Sequence, residues 1–353
     1  MKKQRLISVF LLICVCASLP LFTSCQKQKN KYVTHSLDYF DTVTTVTGYE
    51  SDQESFDRIS GQILASLGEY HRLYTIYHQY DGLENLCTVN GLRDGVHPTV
   101  TVDRRIIDML LYAKEMYAVT NGKLNIAMGS VLSIWHDYRT AGLDEPWAAE
   151  LPSMDALSQA ARHTDINDLI IDEERSTVWI SDPKMTLDVG AIAKGYAVEM
   201  VARDLEKQGI SGYVINVGGN VRTVGGKPNG DAWLAGIENP NTESDEAYVA
   251  YLQLTGESIV TSGSYQRYYT VEGKSYHHII DSQTLFPAEG YLSVSVVCKS
   301  SAQGDALSTA LFCMPFEEGL ALVERLPGVE ALWIFPDETR KASSCFSQYV
   351  TKG

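Results

Sequence analysis

Asp305 and Thr309 stand four residues apart in the segment GDALSTALF, residues 304–312. On a helix that spacing puts a carboxylate and a hydroxyl on one face, among the apolar Ala306, Leu307, Ala310, Leu311 and Phe312. Two readings are open. Asp305 can be a helix cap and Thr309 a threonine bonded back to its own helix. Alternatively the two oxygens begin a site for a hard cation such as Mg²⁺ or Ca²⁺, leaving positions for carbonyls, waters and phosphate oxygens.

Three other segments carry candidate chemistry. In TLDVGAIAKGYAVEMVARDL, residues 186–205, a short strand is expected to end at Asp188 and a helix to run over 191–208, with Gly190 and Gly195 keeping the junction free of side chains. There Asp188 can accept hydrogen bonds from a sugar or base and Lys194 can neutralise a phosphate, or the two are a cap and a surface lysine. YVINVGGNV, residues 213–221, is a buried strand running into a tight Gly218–Gly219 turn, where backbone can approach a planar ligand. Residues 258–288 gather Thr261, Ser262, Gly263, His277, His278 and Asp281. A strand through YHHII places the two histidines on opposite faces, so one of them at most joins a given site, with Asp281 to orient it; a surface histidine pair is the alternative.

The elements that must hold these residues alternate irregularly. Residues 41–49 are β-branched and alternating, a strand. A helix follows, with a capping box of Ser51 and Glu54 and Phe56, Ile59, Ile63, Leu64, Leu67 and Tyr70 at helical spacing. A second helix follows Asp103 and ends at Gly122, and a third begins near Ser153. From residue 168 short strands dominate (DLIID, TVWI, TLDV, YVINV, WLAGIE, YVAYLQL, YYTV, YHHII, LSVSVVC), interrupted by the 191–208 helix and followed by the GDALSTALF helix and one at 317–326. This is an α+β pattern: one large domain of mainly antiparallel sheets with inserted helices. Neither GxGxxG nor GxxxxGK[ST] occurs, which argues against a Rossmann or P-loop nucleotide site.

The N-terminus reads as a secretory leader. Lys2, Lys3 and Arg5 precede an apolar run from Leu6 to Leu21, short of the ~20 residues that span a bilayer, and LFTSC then ends in Cys25. The pattern resembles a bacterial lipobox, which implies cleavage after residue 24, acylation of Cys25 and a polar tether over 25–34; a simple cleaved signal is the alternative. Removing residues 1–24 takes away three of the 29 basic residues and none of the 44 acids, so the net charge moves from −15 to −18. Such a surface repels nucleic acid and anionic lipid, and a phosphate-bearing ligand needs a local cation, which points to a metal. Of seven cysteines, Cys87, Cys298, Cys313 and Cys345 lie beyond the leader, free or paired.

In order, LDVGAIAKGYAVE, VINVGGNV, VTSGSYQRYY, HHIID and DALSTALF resemble the motifs of the ApbE family of FAD:protein FMN transferases. FDTVTTVTGY, LYTIYHQYDG and TNGKLNIAMGSVLSIW extend the likeness over residues 35–345. The resemblance implies a T-fold-like domain over 35–353. It implies Mg²⁺-dependent transfer of FMN from FAD to a threonine or serine of a target protein, with AMP released. The usual targets are subunits of membrane redox complexes of the Rnf and NQR kind at the outer face of the membrane, an address that suits a lipid-anchored enzyme.

By motif, the family's metal ligands fall on the carbonyl of Ala191 and the side chains of Asp305 and Thr309, with Mg²⁺ expected and Ca²⁺ or Mn²⁺ as alternatives. Its flavin contacts fall on Phe40, Tyr77, Lys123, Leu124, Asn125, Asp188, Lys194 and Ile280, and its histidine on His278, expected to be the general base. Phe40-Asp41-Thr42 replaces a common Met-Gly-Thr, and Asn125 stands where many members have aspartate. Two further readings remain: a metal-dependent FAD pyrophosphatase using the same site and yielding FMN and AMP, and a lipid-anchored protein that binds flavin without turnover.

Overall fold

The computed structural model describes residues 29–351; the leader, Cys25 and the first residues of the expected tether, up to residue 28, lie outside the described residues. The first strand already begins at Asn30, within the segment expected to be tether. β1 (Asn30–Tyr39) and β2 (Thr42–Glu50) form an antiparallel hairpin. In β2 the period-2 pattern turns Thr44, Val46 and Gly48 inward. Phe40 (φ 56°) and Asp41 (φ 50°) make the two-residue turn, both left-handed, the geometry whose twist matches a hairpin but which usually selects Asn or Gly.

α1 (Gln53–Tyr74) buries Phe56, Ile59, Ile63, Leu67 and Tyr70 as its spacing predicts. Its cap differs from the expected Ser51–Glu54 box. Asp52, extended at φ −159°, accepts the Ser55 N–H, Ser51 donates to Asp52, and Glu54 stays exposed in the first turn. Next come α2 (Leu86–Asn90), β3 (Val100–Thr101), α3 (Arg104–Val119, capped by Asp103), α4 (Gly129–Asp144) and α5 (Met154–Ala160, capped by Ser153). β4 (Leu169–Asp172) and β5 (Thr177–Ile180) complete a three-stranded sheet with β3.

The remaining elements are α6 (Ala193–Lys207), β6 (Tyr213–Val217), β7 (Asn220–Val224), β8 (Trp233–Glu238), β9 (Tyr248–Leu254), β10 (Ser258–Gly263), β11 (Tyr268–Val271), β12 (Lys274–His277), β13 (Ser293–Cys298), α7 (Ser301–Phe312), α8 (Phe316–Arg325), β14 (Glu330–Ile334) and β15 (Arg340–Ala342). The main sheet has eight strands in the order β1-β2-β6-β7-β10-β13-β14-β15, and every neighbouring pair is antiparallel. Helices cover one face, and a continuous core joins α1, α3, α6 and α7 to the strands. Each fully buried Leu, Ile or Phe there contributes about 1.5–3 kcal/mol. A second cluster, Met128, Val131, Trp135, Leu157, Tyr269, Ile280 and Leu285, seats α4 and α5 against the β11–β12 hairpin. The cleft described below opens between these two bodies of packing.

Two expected strands differ. TLDV joins no sheet. Asn90 accepts the Leu187 N–H at 2.8 Å and donates to its carbonyl at 2.9 Å, while the Asp188 N–H reaches Ile126 O at 2.8 Å, so the residues 126–129 turn and one amide side chain replace the ladder. YHHII is a strand only to His277; at His278 the chain bends, and the Arg267 carbonyl accepts its N–H at 3.1 Å. The four cysteines among the described residues are free thiols, Cys298 and Cys313 buried.

Candidate functional site

One cleft of about 920 Å³ is lined by the end of the residues 123–128 turn, α4, the start of α6, the Gly218–Gly219 turn, β10, the β11–β12 hairpin and α7. That volume is at the upper end of the ~300–1,000 Å³ typical of small-molecule sites. Tyr77, Lys123, Leu124, Asn125, Asp188, Ala191, Lys194, His278, Ile280, Asp305 and Thr309 all line it, although they come from segments up to 232 residues apart.

Phe40 does not. Its left-handed turn carries the ring back onto α1, where it packs edge-on against His71 at 5.5 Å while its N–H donates to His71 Nδ1. The neighbouring Asp41 and Thr42 line the cleft instead.

Asp305 is 4% exposed on α7. Its Oδ2 accepts the Gly195 N–H at 2.8 Å, its Oδ1 accepts from Asn220 Nδ2 at 3.1 Å, and the nearest ammonium, Lys194 Nζ, is 3.8 Å away. A buried carboxylate met at hydrogen-bond distance by neutral donors retains charge that a cation can neutralise. Thr309, one turn further along the same face, shares its hydroxyl with Ser262 at 3.3 Å. These all-oxygen donors fit a hard ion such as Mg²⁺, with the Ala191 carbonyl from the cleft wall as a third candidate. Among the described residues there is no cluster of three or more His, Cys, Asp or Glu arranged for a metal, so the candidate set rests on one carboxylate with neutral oxygens.

Close packing makes this corner possible. A Cβ at Gly195 would lie 2.4 Å from Asp305 Cβ and 2.4 Å from the Ser301 carbonyl oxygen, so only glycine lets α6 approach α7 closely enough to donate to the carboxylate. Gly218 (φ 54°) and Gly219 (φ 89°) form the β6–β7 turn, and the Gly218 N–H docks on Val43 O at 3.1 Å.

Opposite, His277 and His278 divide their roles. His277 Nε2 donates to Ala288 O at 2.9 Å and its Nδ1 accepts the Ile279 N–H, so both ring nitrogens are spent on structure. His278 Nδ1 is bonded to Arg267 O at 3.2 Å, and Nε2 has no hydrogen-bond partner among the described residues. The crowded cleft walls and the Arg267 cation hold the His278 pKa well below its ordinary 6.5, although part of the ring is open to the cavity. Asp281, expected to orient a histidine, instead pairs with the buried Lys123 at 3.0 Å, and Lys123 also donates to Gln283 at 3.1 Å. Asn125 spends its amide on Thr164 O and on capping Ala127, which leaves Asn125 as a wall rather than a free donor.

Asp188 is half-buried. Burial raises its pKa, opposed by the Gly190 N–H at 2.8 Å and by His136, Lys194 and Arg139. Tyr77, 57% exposed, stands at the mouth with its ring 5.9 Å from His136.

Two cations of the cleft escaped the sequence reading. Arg139 on α4 and Arg267 ahead of β11 both line the cavity, and neither has a carboxylate partner among the described residues. Arg267 donates to Asp41 O at 3.0 Å, and Arg139 contacts the His136 ring at 3.1 Å. Desolvation first, then Arg267, lowers the Arg139 pKa. The cleft lining thus sets four cations (Lys123, Arg139, Lys194 and Arg267) against four acids (Asp41, Asp188, Glu238 and Asp305), less acidic than the protein as a whole, and a metal is not its one source of positive charge.

The ApbE family model matches residues 40–333, most of the chain. The chain belongs to the ApbE family. It is 32% identical over 273 residues to an FAD:protein FMN transferase of Klebsiella pneumoniae, spanning 74% of this chain and 81% of the relative. To the protein of the same name from Treponema pallidum it is 33% identical over 260 residues, 69% of each. Its fold matches the ApbE protein of Thermotoga maritima with a TM-score of 0.77 at 24% identity, over 92% of this chain and 100% of that one. The flavin transferase ApbE of Vibrio cholerae gives 0.74 at 24% identity, over 91% and 99%. The α+β architecture and the family resemblance read from the motifs are both borne out.

Proposed function

We propose that this ApbE protein is an FAD:protein FMN transferase that uses Mg²⁺, joins FMN through a phosphoester to a threonine or serine of a protein acceptor, and releases AMP. The names of its relatives support flavin transfer as the activity. The observation that carries the mechanism is the convergence, in one cleft, of an oxygen donor set (Asp305, Thr309, Ala191) and a neutral histidine with a free ring nitrogen.

In the reaction the acceptor hydroxyl oxygen attacks the FMN phosphorus, the bond from that phosphorus to the bridging oxygen breaks, and AMP leaves with that oxygen. His278 Nε2 takes the hydroxyl proton; its lowered pKa keeps the ring unprotonated and ready at neutral pH. Lys194, whose ammonium also donates to Gly190 O at 3.1 Å, faces the diphosphate from the start of α6. Arg139 and Arg267 supply further cations for phosphate oxygens. Asp305, Thr309 and the Ala191 carbonyl would hold the Mg²⁺, which when bound would neutralise diphosphate charge and polarise the phosphoryl group. Tyr77, Leu124 and Ile280 offer apolar and aromatic surface for the flat rings.

The acceptor is a subunit of a membrane redox complex of the Rnf or NQR kind, and the enzyme reaches it from the outer face of the membrane on a lipid attached at Cys25. No helix among the described residues is long and apolar enough to cross a membrane.

The test incubates the protein with FAD, Mg²⁺ and a purified acceptor subunit. Yellow-fluorescent acceptor on a denaturing gel supports transfer. Free FMN and AMP with unlabelled acceptor make the protein a pyrophosphatase, and unchanged FAD makes it a binder.

A further inference from the structure

Glu199 is 3% exposed, lines no part of the cleft and has no place in the mechanism above, yet it accepts three hydrogen bonds. Arg203 Nε reaches its Oε1 at 2.7 Å; Arg222 Nε at 3.2 Å and the Ser301 N–H at 2.8 Å reach its Oε2. Arg222, 4% exposed, is in turn bonded to Glu206 at 2.9 Å, to Gly256 O at 2.9 Å and to Thr223 O. Glu199 and Arg222 therefore balance as a buried pair, flanked at the surface by the half-exposed Arg203 and Glu206. Burying such a pair has no general advantage in stability over well-packed apolar side chains, so its directionality is the feature to explain.

Ser301 opens α7, one turn ahead of Asp305, and its N–H is one of the free donors at the helix start. The same two elements grip both ends of that turn. On α6, Gly195 donates to Asp305 and Glu199, four residues on, accepts from Ser301. On β7, Asn220 donates to Asp305 and accepts the Ser301 hydroxyl at 3.3 Å, while Arg222, two residues on and on the same face, holds Glu199. Each of these two groups touching the carboxylate is thus backed, one structural repeat away, by a member of the buried Glu199–Arg222 pair.

We infer that Glu199 is a positioning residue for the cation site: by fixing the first N–H of α7 it sets the rotation and height of that helix, and so the direction in which Asp305 presents its oxygens. The inference rests on the reading of Asp305 as a cation ligand.

The experiment measures Mn²⁺ binding to the whole folded protein by electron paramagnetic resonance of free Mn²⁺, beside a thermal melt. Glu199→Met with Arg222→Met removes both buried charges, leaving no orphaned ion in the interior. Ser301→Pro removes the N–H together with the hydroxyl, at a first helical position that tolerates proline; Ser301→Ala removes the hydroxyl alone, so the difference between the two reads the N–H. The expected result is a Mn²⁺ dissociation constant raised tenfold or more in the double variant and in Ser301→Pro, near the parent value in Ser301→Ala, with melting temperatures that do not track the loss. Parent-like Mn²⁺ affinity in Ser301→Pro, or in a folded double variant, overturns the inference. Asp305→Ala is run alongside: if it too binds Mn²⁺ like the parent, the cation reading fails first, and if it alone loses binding, only the role of Glu199 falls.

Discussion

His278 gives its Nδ1 hydrogen to the main-chain carbonyl of Arg267, 3.2 Å away, and so leaves Nε2 as the lone-pair nitrogen of the ring. A carbonyl only accepts, which fixes the tautomer. The guanidinium of that same Arg267 opposes a second proton on the ring. Arg267 thus orients the base and, second to the burial of the ring, helps to keep it neutral.

A pH profile tests this arrangement. Because the folded pKa of His278 is lowered, the base is competent above it, and the acid limb of kcat/KM falls below pH 6.5. Arg267→Met removes the second of the two largest causes of that shift while burial remains, so the limb moves toward 6.5 without passing it. His278→Ala should lower kcat by about 10²–10⁴-fold, the usual worth of general base catalysis. Full flavinylation by that variant removes His278 from the mechanism.

Gly195→Ala places a methyl 2.4 Å from Asp305 Cβ and from a main-chain oxygen, neither of which can swing aside as a flexible side-chain end would. Overpacking of this kind costs about 1–3 kcal/mol. The expected outcome is a lower melting temperature together with weaker Mg²⁺ activation, and a variant with parent-like values in both would show that α6 and α7 can separate without consequence.

Asp305→Ala and Thr309→Val remove the carboxylate and hydroxyl of the proposed cation site. Loss of one electrostatic group acting on the transition state costs on the order of 10²–10³-fold in rate. Asp305→Ala is expected to reach that range and Thr309→Val to fall short of it, since a carbonyl and waters remain. A chelator should silence the parent, with activity restored by added Mg²⁺; turnover that survives chelation contradicts the metal dependence.

Much of this architecture was legible because local chemistry agreed with the fold. The stripe of Phe56, Ile59, Ile63 and Leu67 and the caps Asp103 and Ser153 sit where spacing placed them. α4 went unread because it begins at Gly129 with no capping side chain and exposes His136 and Asp137 across its middle. TLDV read as a strand because β-propensity is blind to Asn90, which lies 97 residues away and satisfies its backbone. The motif residues converge as the resemblance implied, except Phe40, whose turn sends the ring elsewhere. Arg139 and Arg267 carry no local signature; only the fold brings them into one cleft, as only the fold gives Asp281 to Lys123 rather than to a histidine.

That last pair ties the residues 123–125 turn to the segment that carries His278. Lys123 is almost fully enclosed, and removing one partner of a buried pair costs about 3–5 kcal/mol. Lys123→Met should therefore lower the melting temperature markedly, while Lys123→Met with Asp281→Asn recovers much of it. Failure of the second change to recover stability would assign the loss to packing around the lysine stem.

Arg139 and Arg267 face the cleft without acids of their own, in a protein with 44 acidic residues against 29 basic ones, so their charge is available to a ligand. If they hold phosphate oxygens, removing either one deletes a charge-assisted hydrogen bond worth about 1.5–3 kcal/mol, which corresponds to roughly 10- to 100-fold in affinity. Riboflavin separates the alternatives, because it carries the ring system without phosphate. Arg139→Ala should weaken FAD and FMN binding by that factor and leave riboflavin binding unchanged in a fluorescence titration, and the effect should shrink at high salt as screening replaces the lost contrast. An equal loss for riboflavin would mean that the arginine builds the wall against which the rings lie, and the phosphate would then depend on Lys194 and the cation alone.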